Sequence, residues 1–444
     1  MNRLIASSFS FVFSFFFLAD SVDAIHVCLD PIVYTIQESP TLYAQKIVKS
    51  RRQEGKEVFN WGLGASPFDL PNVIVQGLKD HAHHKFYSPV EGIPELRKII
   101  AKRYSTPGYP LNLNQVIVAN GLKQLLFDVQ RAFGGEIIHV APHWVSYPEQ
   151  TCLLGKSAFV ILTSKENEYK LTAEDIEAHC SKSPEKPRMM IFNHPVNPTG
   201  CAYSREELQE LAEVLRKYEI LVFADEVYLG CHHRGEANSI AEFLPELTIR
   251  ASSLSKEYAG GGYRLGWATF PSKLAPLQKA MVAIGSSSYS CAPVPQQYAA
   301  IVAMENGPEI QLFHAQMQQI LDGLGRSCAE KFRELGLVCT EPEAAWYLFL
   351  DFEKYRSNLE QLGVRTGVDL ANRLMNDTGI VFISGEAFGM PSGNLQVRAA
   401  YIDFSGQDAI DSFDGQINPL SQNWAYHLSK SFDVLQEWLE NLPR

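Results

Sequence analysis

Positive charge is in deficit along this chain: 39 Lys and Arg stand against 50 Asp and Glu, for a net charge of −11. Binding to a phosphate backbone needs clustered cations, so nucleic acid is excluded as the main partner. Metal-ligand spacing is absent as well. The eight cysteines are Cys28, Cys152, Cys180, Cys201, Cys231, Cys291, Cys328 and Cys339, and no two form a C-x-x-C pair or join histidines in a zinc-type cluster. Their even number permits disulfides, but their scatter over 444 residues fits reduced thiols better. The densest histidine group, His81, His83 and His84 in "DHAHHKF", reads as the solvated end of a helix rather than a metal site. No heptad array, low-complexity tract or internal repeat occurs. Past residue 24 no apolar run approaches the roughly 20 residues that span a bilayer.

What is present is an ordinary globular balance, 46% hydrophobic and 20% charged, long enough for a large core and more than one domain. The N-terminus stands apart. Arg3 precedes an apolar run from Leu4 to Leu18, and Val22 and Ala24 then sit in small-residue cleavage positions. That layout reads either as a secretory signal peptide or as an extension of a cytoplasmic protein.

From residue 72 to about residue 271, short apolar runs alternate with helical patterns. Gln115–Asn120, Glu136–Pro142, Arg188–His194, Glu219–Tyr228 and Thr248–Leu254 read as strands. Ser204–Tyr218 reads as an amphipathic helix with a capping box, Ser204 with Glu207. Such alternation predicts an α/β fold, a mainly parallel sheet sandwiched by helices. Tyr34 to about Val58 and Gly307–Gly336 read as helical. Ala344–Phe352, Gly379–Gly385 and Asn394–Phe404 read as strands, and about Asn418–Leu442 as a final helix. The expected division is an N-terminal extension over 1–24, a small-domain segment over 34–71, a large domain over 72–306, a connecting helix over 307–336 and a smaller α+β domain over 337–444.

Open α/β sheets bind ligands at the carboxyl ends of their strands, so polar residues there carry the information. "SLSKEYAGGGYRLGW" (Ser253–Trp267) sets Lys256 among hydroxyls and glycines, eight positions before Arg264. Lys256 reads either as a solvated loop residue or as an amine that forms a Schiff base with a carbonyl. The commonest cofactor that uses such a lysine, pyridoxal 5'-phosphate, also needs a carboxylate, donors for its phenolate oxygen and an anion site. Asp225 ends the apolar run "ILVFAD"; it can cap the next helix, fill a buried ion pair or hold a pyridine nitrogen. Tyr228 and Asn197, the latter in the turn "NPTG", can reach a phenolate oxygen. Gly121 and Leu122 open a helix after a strand, and Ser253 and Arg264 flank Lys256; together they suit a phosphate. Trp144 reads as core or as a stacking partner for a ring.

These stretches, with "FYSPVEGIPELR" (Phe86–Arg97), "PHWVSYP" (Pro142–Pro148) and "VRAAYIDF" (Val397–Phe404), resemble the class I/II aminotransferases of the fold type I pyridoxal-phosphate enzymes. The motifs fall in the family's order and spacing from Tyr34 to the C-terminus. The resemblance implies that Lys256 binds the cofactor aldehyde and shuttles a proton, that Asp225 binds the ring nitrogen, and that Tyr228 and Asn197 bind the phenolate oxygen. It implies that Trp144 stacks on the ring and that Gly121, Leu122, Ser253 and Arg264 bind the phosphate. Arg398 would grip the substrate α-carboxylate, Gly64 would lie in a loop closing over the substrate, and Tyr87 would reach the phosphate of a neighbouring subunit in a homodimer. The implied reaction is ping-pong transfer of an amino group from an L-amino acid to a 2-oxo acid, in the cytoplasm; export is the alternative if residues 1–24 act as a signal. A carbon–sulfur lyase shares every cofactor residue, and only the lining near Tyr87, Trp144, Tyr147 and Gly64 would separate the two. Aspartate-specific members carry an arginine for the distal carboxylate near where Ser286 falls here, so this chain departs from that device; Lys123 reads either as a surface lysine or as a substitute for it.

Overall fold

The run Leu221–Asp225 is apolar up to its last residue and becomes the middle strand of a seven-stranded sheet. The computed structural model describes residues 28–35, 39–235, 238–412 and 419–444, so the N-terminal apolar run lies outside the described residues. The strands are β1 (Phe59–Asn60), β2 (Val116–Ala119), β3 (Glu136–Ala141), β4 (Ala158–Leu162), β5 (Arg188–Asn193), β6 (Leu221–Asp225), β7 (Thr248–Ser253), β8 (Gly266–Thr269), β9 (Val338–Cys339), β10 (Tyr347–Asp351), β11 (Ile380–Val381), β12 (Ile383–Ser384) and β13 (Gln396–Ala400). The large sheet runs β2-β8-β7-β6-β5-β3-β4. Neighbours from β7 to β4 are parallel, whereas β8 is antiparallel to both β7 and β2. Interior strands are covered on both faces, which is why Met189–Phe192 and Val222–Ala224 are continuously apolar and buried.

Helices cross between the strands. Arg205–Lys217 starts on the expected capping box: the Ser204 hydroxyl accepts from the Glu207 N–H at 3.2 Å and the Glu207 carboxylate accepts from the Ser204 N–H at 2.6 Å. Two strands of this sheet are not evident from the sequence pattern. β4 lies at the sheet edge with Phe159, Val160 and Leu162 exposed, so no alternation marks it. β8 is four residues long and enclosed by the glycine-rich turn and Pro271.

The rest of the chain builds an antiparallel sheet, β12-β13-β10-β9, and the parallel pair β1-β11. Residues 379–385 therefore do not form the single strand expected of them: the run divides at Phe382, and its halves join different sheets. The last helix is shorter than expected, Tyr426–Glu440, preceded by two 3-10 turns. The N-terminal helix is Pro40–Gln53 and the long helix Pro308–Glu334. Trp61 ties the N-terminal segment to the C-terminal third. Its indole packs edge-on against Phe332, Phe382 and Phe432 and donates to the Ser431 hydroxyl at 3.1 Å. The histidine group also differs from expectation. His81 and His84 stack on Tyr298 at 4.2 and 4.4 Å and are half-buried, and His83, stacked on His84 at 4.4 Å, is the exposed member of the three. Among the described residues no helix is long and apolar enough to cross a membrane.

Candidate active site

β6 ends at Asp225 and β7 at Ser253, three residues before Lys256. Parallel neighbours open their carboxyl ends onto one edge, and here that edge forms a cavity of about 530 Å³ closed by residues of the smaller sheet and of the N-terminal segment.

Lys256 is enclosed. Its Nζ donates to the Gly64 carbonyl and lies 5.7 Å from the Tyr228 ring and 5.6 Å from the Trp346 ring. Burial, reinforced by the charge of Arg398, pushes its ammonium down to about 8. A lysine tuned this way holds a neutral fraction at neutral pH, which a nucleophile or proton acceptor requires. Asp225 is 3% exposed, and burial pushes its carboxyl up to about 6. Its oxygens accept from the Tyr147 hydroxyl at 2.7 Å and the Val227 N–H at 3.3 Å. No cation pairs with it among the described residues, so the ion-pair reading of Asp225 falls, and the carboxylate faces a cavity that can offer a cationic ligand group.

The Tyr228 and Tyr347 hydroxyls meet at 2.7 Å, and burial raises both phenols. Both therefore stay protonated and able to donate. Arg398, 1% exposed, leaves β13 between the rings of Tyr347 and Phe388 at 4.6 and 4.9 Å. Its Nη1 donates to Asn197 Oδ1 at 3.0 Å and its Nη2 to the Gly62 carbonyl at 2.8 Å. Asn197 is itself fixed by donation of its N–H to Asn193 Oδ1 at 2.8 Å. No carboxylate neutralises Arg398 among the described residues, and the guanidinium lines the cavity.

An anion site lies at the other end. The helix Leu122–Ala132 begins at Gly121, with φ of +89° and no side-chain cap, so its first N–H groups are open to a ligand. A Cβ on Gly121 would sit 2.7 Å from Arg264 Nη2, and one on Gly266 would sit 2.4 Å from the Leu122 nitrogen. Both glycines are therefore needed for strand, helix and guanidinium to converge. Ser253 and Ser255 line the same end.

The cavity thus gathers Lys256, Asp225, Tyr228, Asn197, Trp144, Leu122, Ser253, Arg264, Gly64 and Arg398, with Gly121 directly behind Leu122. Tyr87 is not among them: it is 88% exposed, away from this chain's own cavity. Ser286 is exposed on the helix Ala275–Ser288 and does not line it either. Sequence reasoning missed Tyr347 and Asn193. Tyr347 lies inside an apolar strand and reads as core, and Asn193 is the last residue of β5, where the strand-end rule alone could have found it.

Residues 56–403 match the family model described as aminotransferase class I and II. The chain belongs to this family. A Rhizobium leguminosarum bv. phaseoli protein named a probable aspartate/prephenate aminotransferase is 32% identical over 370 residues, covering 80% of this chain and 90% of that protein. An aspartate aminotransferase of Bacillus sp. (strain YM-2) is 30% identical, covering 86% and 97%. Among solved structures, the aspartate aminotransferase of Rhizobium meliloti superposes with a TM-score of 0.78 at 26% identity, covering 94% of this chain and all of that one. The aminotransferase is therefore an enzyme of fold type I, and the lyase alternative is not favoured. Membership implies pyridoxal phosphate as cofactor and amino acids with 2-oxo acids as substrates. The residues present fit that cofactor: an uncapped helix start beside Arg264, a buried unpaired carboxylate, a partly neutral lysine, and Tyr228 and Asn197 on the cavity wall match the four features it needs.

Proposed function

We propose that this aminotransferase acts by a ping-pong route on amino acids with an acidic side chain, the aspartate and glutamate class. Pyridoxal phosphate, when bound, supplies an aldehyde for the amino group and a ring that draws electron density from the substrate α-carbon. Lys256 Nζ takes the proton from the α-carbon and returns it on the other side of the transfer, which the neutral fraction left by its lowered pKa makes possible. Asp225 holds the ring nitrogen, Tyr228 and Asn197 the phenolate oxygen, and Arg264, Ser253 and the N–H groups after Gly121 the phosphate. Trp144 covers the ring face, Gly64 closes on the substrate and Arg398 takes the α-carboxylate by its two-pronged face. The adjacent exposed aromatics Phe86 and Tyr87, at 78% and 88% exposure, support a homodimer in which Tyr87 reaches the partner's phosphate site. The eight cysteines form no disulfide, which suits a cytoplasmic enzyme.

One observation carries the substrate class. With Lys256, Arg264 and Arg398 assigned, a fourth cation remains on the cavity wall. Lys123 is exposed at the mouth, its Nζ 4.8 Å from the Trp144 ring, and partial desolvation, with the charge of Arg264, lowers its basicity against the opposing charge of Glu149. A distal carboxylate entering past Trp144 would meet it. The relatives named for aspartate or aspartate/prephenate support this reading.

Two variants test it. Lys123→Ala is expected to lower kcat/KM for L-aspartate roughly tenfold to hundredfold more than that for L-alanine, since the contact to Trp144 is lost for both substrates and the charge-assisted contact to a distal group for aspartate alone. Equal loss for both substrates would overturn the substrate class. Arg398→Ala should instead raise KM for every amino acid, with kcat/KM falling roughly hundredfold or more, because the α-carboxylate is common to all. An effect confined to one substrate would contradict that role.

A further inference from the structure

Asp225 has two oxygens, and they are not equivalent. Oδ1 takes the weaker contact, from the Val227 N–H at 3.3 Å, and Oδ2 takes the Tyr147 hydroxyl at 2.7 Å. The backbone behind the carboxylate is also fixed: the Asp225 carbonyl accepts from the His194 N–H at 3.1 Å and from Asn193 Nδ2 at 2.9 Å. The strand end therefore cannot rotate to offer Oδ2 another partner.

Tyr147 is equally constrained. It is 2% exposed in the helix Ser146–Leu153. Its carbonyl accepts from the Thr151 hydroxyl at 3.0 Å, and Thr151 is held by Gln130 and by His139 Nε2 at 3.0 Å. The His139 ring lies parallel to Tyr147 at 6.5 Å, and the Trp144 ring meets it edge-on at 5.5 Å. The titratable groups facing Tyr147 are His139, His143 and Asp225; those facing Asp225 are Tyr147, Lys256, Glu226 and Tyr228. Burial pushes His139 down to about 3 and His143 down to about 4, so both are neutral and place no charge behind the pair. Burial and the neighbouring carboxylate raise Tyr147 well above an ordinary phenol, so it remains a donor at any working pH.

A hydrogen bond donated to a carboxylate stabilises the anion over the acid. When a protonated ring nitrogen faces that carboxylate, one proton has two resting places, on the nitrogen with Asp225 ionised or on Asp225 with the nitrogen neutral. In so dry a site the second is the competitive one. We propose that Tyr147 is a positioning residue for the reaction: its hydroxyl, held on Asp225 Oδ2, keeps the proton shared by Asp225 and the cofactor's ring nitrogen on the nitrogen. This rests on the reading that Asp225 faces that nitrogen.

The test is the ¹⁵N resonance of the ring nitrogen in holoenzyme loaded with ring-¹⁵N cofactor. Wild type should resonate at the protonated position. In Tyr147→Phe the resonance should move towards the unprotonated position, the ratio of the two proton placements changing by roughly tenfold or more. Loss of packing alone would not move it. If the phenylalanine variant fails to fold, 4-aminophenylalanine at position 147 keeps the shape with a weaker donor, and a smaller shift in the same direction is expected. Coincidence of variant and wild-type resonances overturns the proposal. An unprotonated wild-type resonance overturns the reading of Asp225 itself, and is recognisable because it appears before any substitution.

Discussion

Lys256→Ala is expected to lower turnover by roughly four orders of magnitude or more while leaving a folded chain. Two roles vanish together, the amine that holds the cofactor and the base that moves the α-proton. The fold should survive because, among the described residues, Lys256 makes one side-chain hydrogen bond, to Gly64, and its enclosed charge is not matched by an ion pair. Lys256→Arg separates charge from chemistry. It retains a cation but cannot become neutral, and it should be as inactive as alanine. The pH dependence has a definite sign. Burial and Arg398 set the wild-type amine at about 8, so its neutral fraction grows as pH rises through that value, is one half there, and levels off roughly a unit or more above it. Cofactor uptake by stripped wild-type protein, followed by absorbance, should accelerate over that range, and the alanine variant should show no such profile. Substantial turnover by Lys256→Arg would remove the lysine from the chemistry.

Why were Lys256 and Asp225 legible in the sequence when Tyr347 was not? A charge at the end of an apolar strand is out of place as core, and "ILVFAD" shows that conflict in six letters. Lys256 stands out in the same way, through the serines and glycines around it. Tyr347 shows no conflict. An aromatic inside "AAWYLFLDF" satisfies every local rule, and its function-bearing contact, with Tyr228, bridges 119 residues. The Tyr147–Asp225 contact bridges 78. Such pairings are set by how the two sheets and the helix Ser146–Leu153 meet, which no local pattern encodes. The parallel centre of the sheet was legible because burial on both faces makes strands continuously apolar. β4 and β8 were not, since the first is an exposed edge and the second is too short for any period to register. His81 and His84 misled for a related reason: Tyr298, which covers them, belongs to the distant helix Val294–Glu305.

Asp225→Asn should separate stability from function. Turnover should fall by roughly two to three orders of magnitude, because a neutral amide cannot hold a positive ring nitrogen. The cofactor-free protein should nonetheless become more stable. Burial raises the folded-state carboxyl from 3.8 to about 6, so at neutral pH the folded chain holds an anion it would rather protonate, at a cost of about 3 kcal/mol. The sign follows from the direction of the shift. A raised acid favours the folded state below pH 3.8, and that advantage is lost as pH climbs through 6. Asparagine is neutral throughout, and the Tyr147 hydroxyl can turn from donor to acceptor towards its amide. Melting of the two cofactor-free proteins should therefore differ by several degrees at pH 7.5 in favour of the variant, and the gap should close as pH falls below about 4. Cofactor should reverse the order, since only the wild type gains the ion pair on binding. A variant that melts lower at every pH would mean that Asp225 is not strained in the empty site; one that keeps wild-type turnover would mean that it is not the partner of the ring.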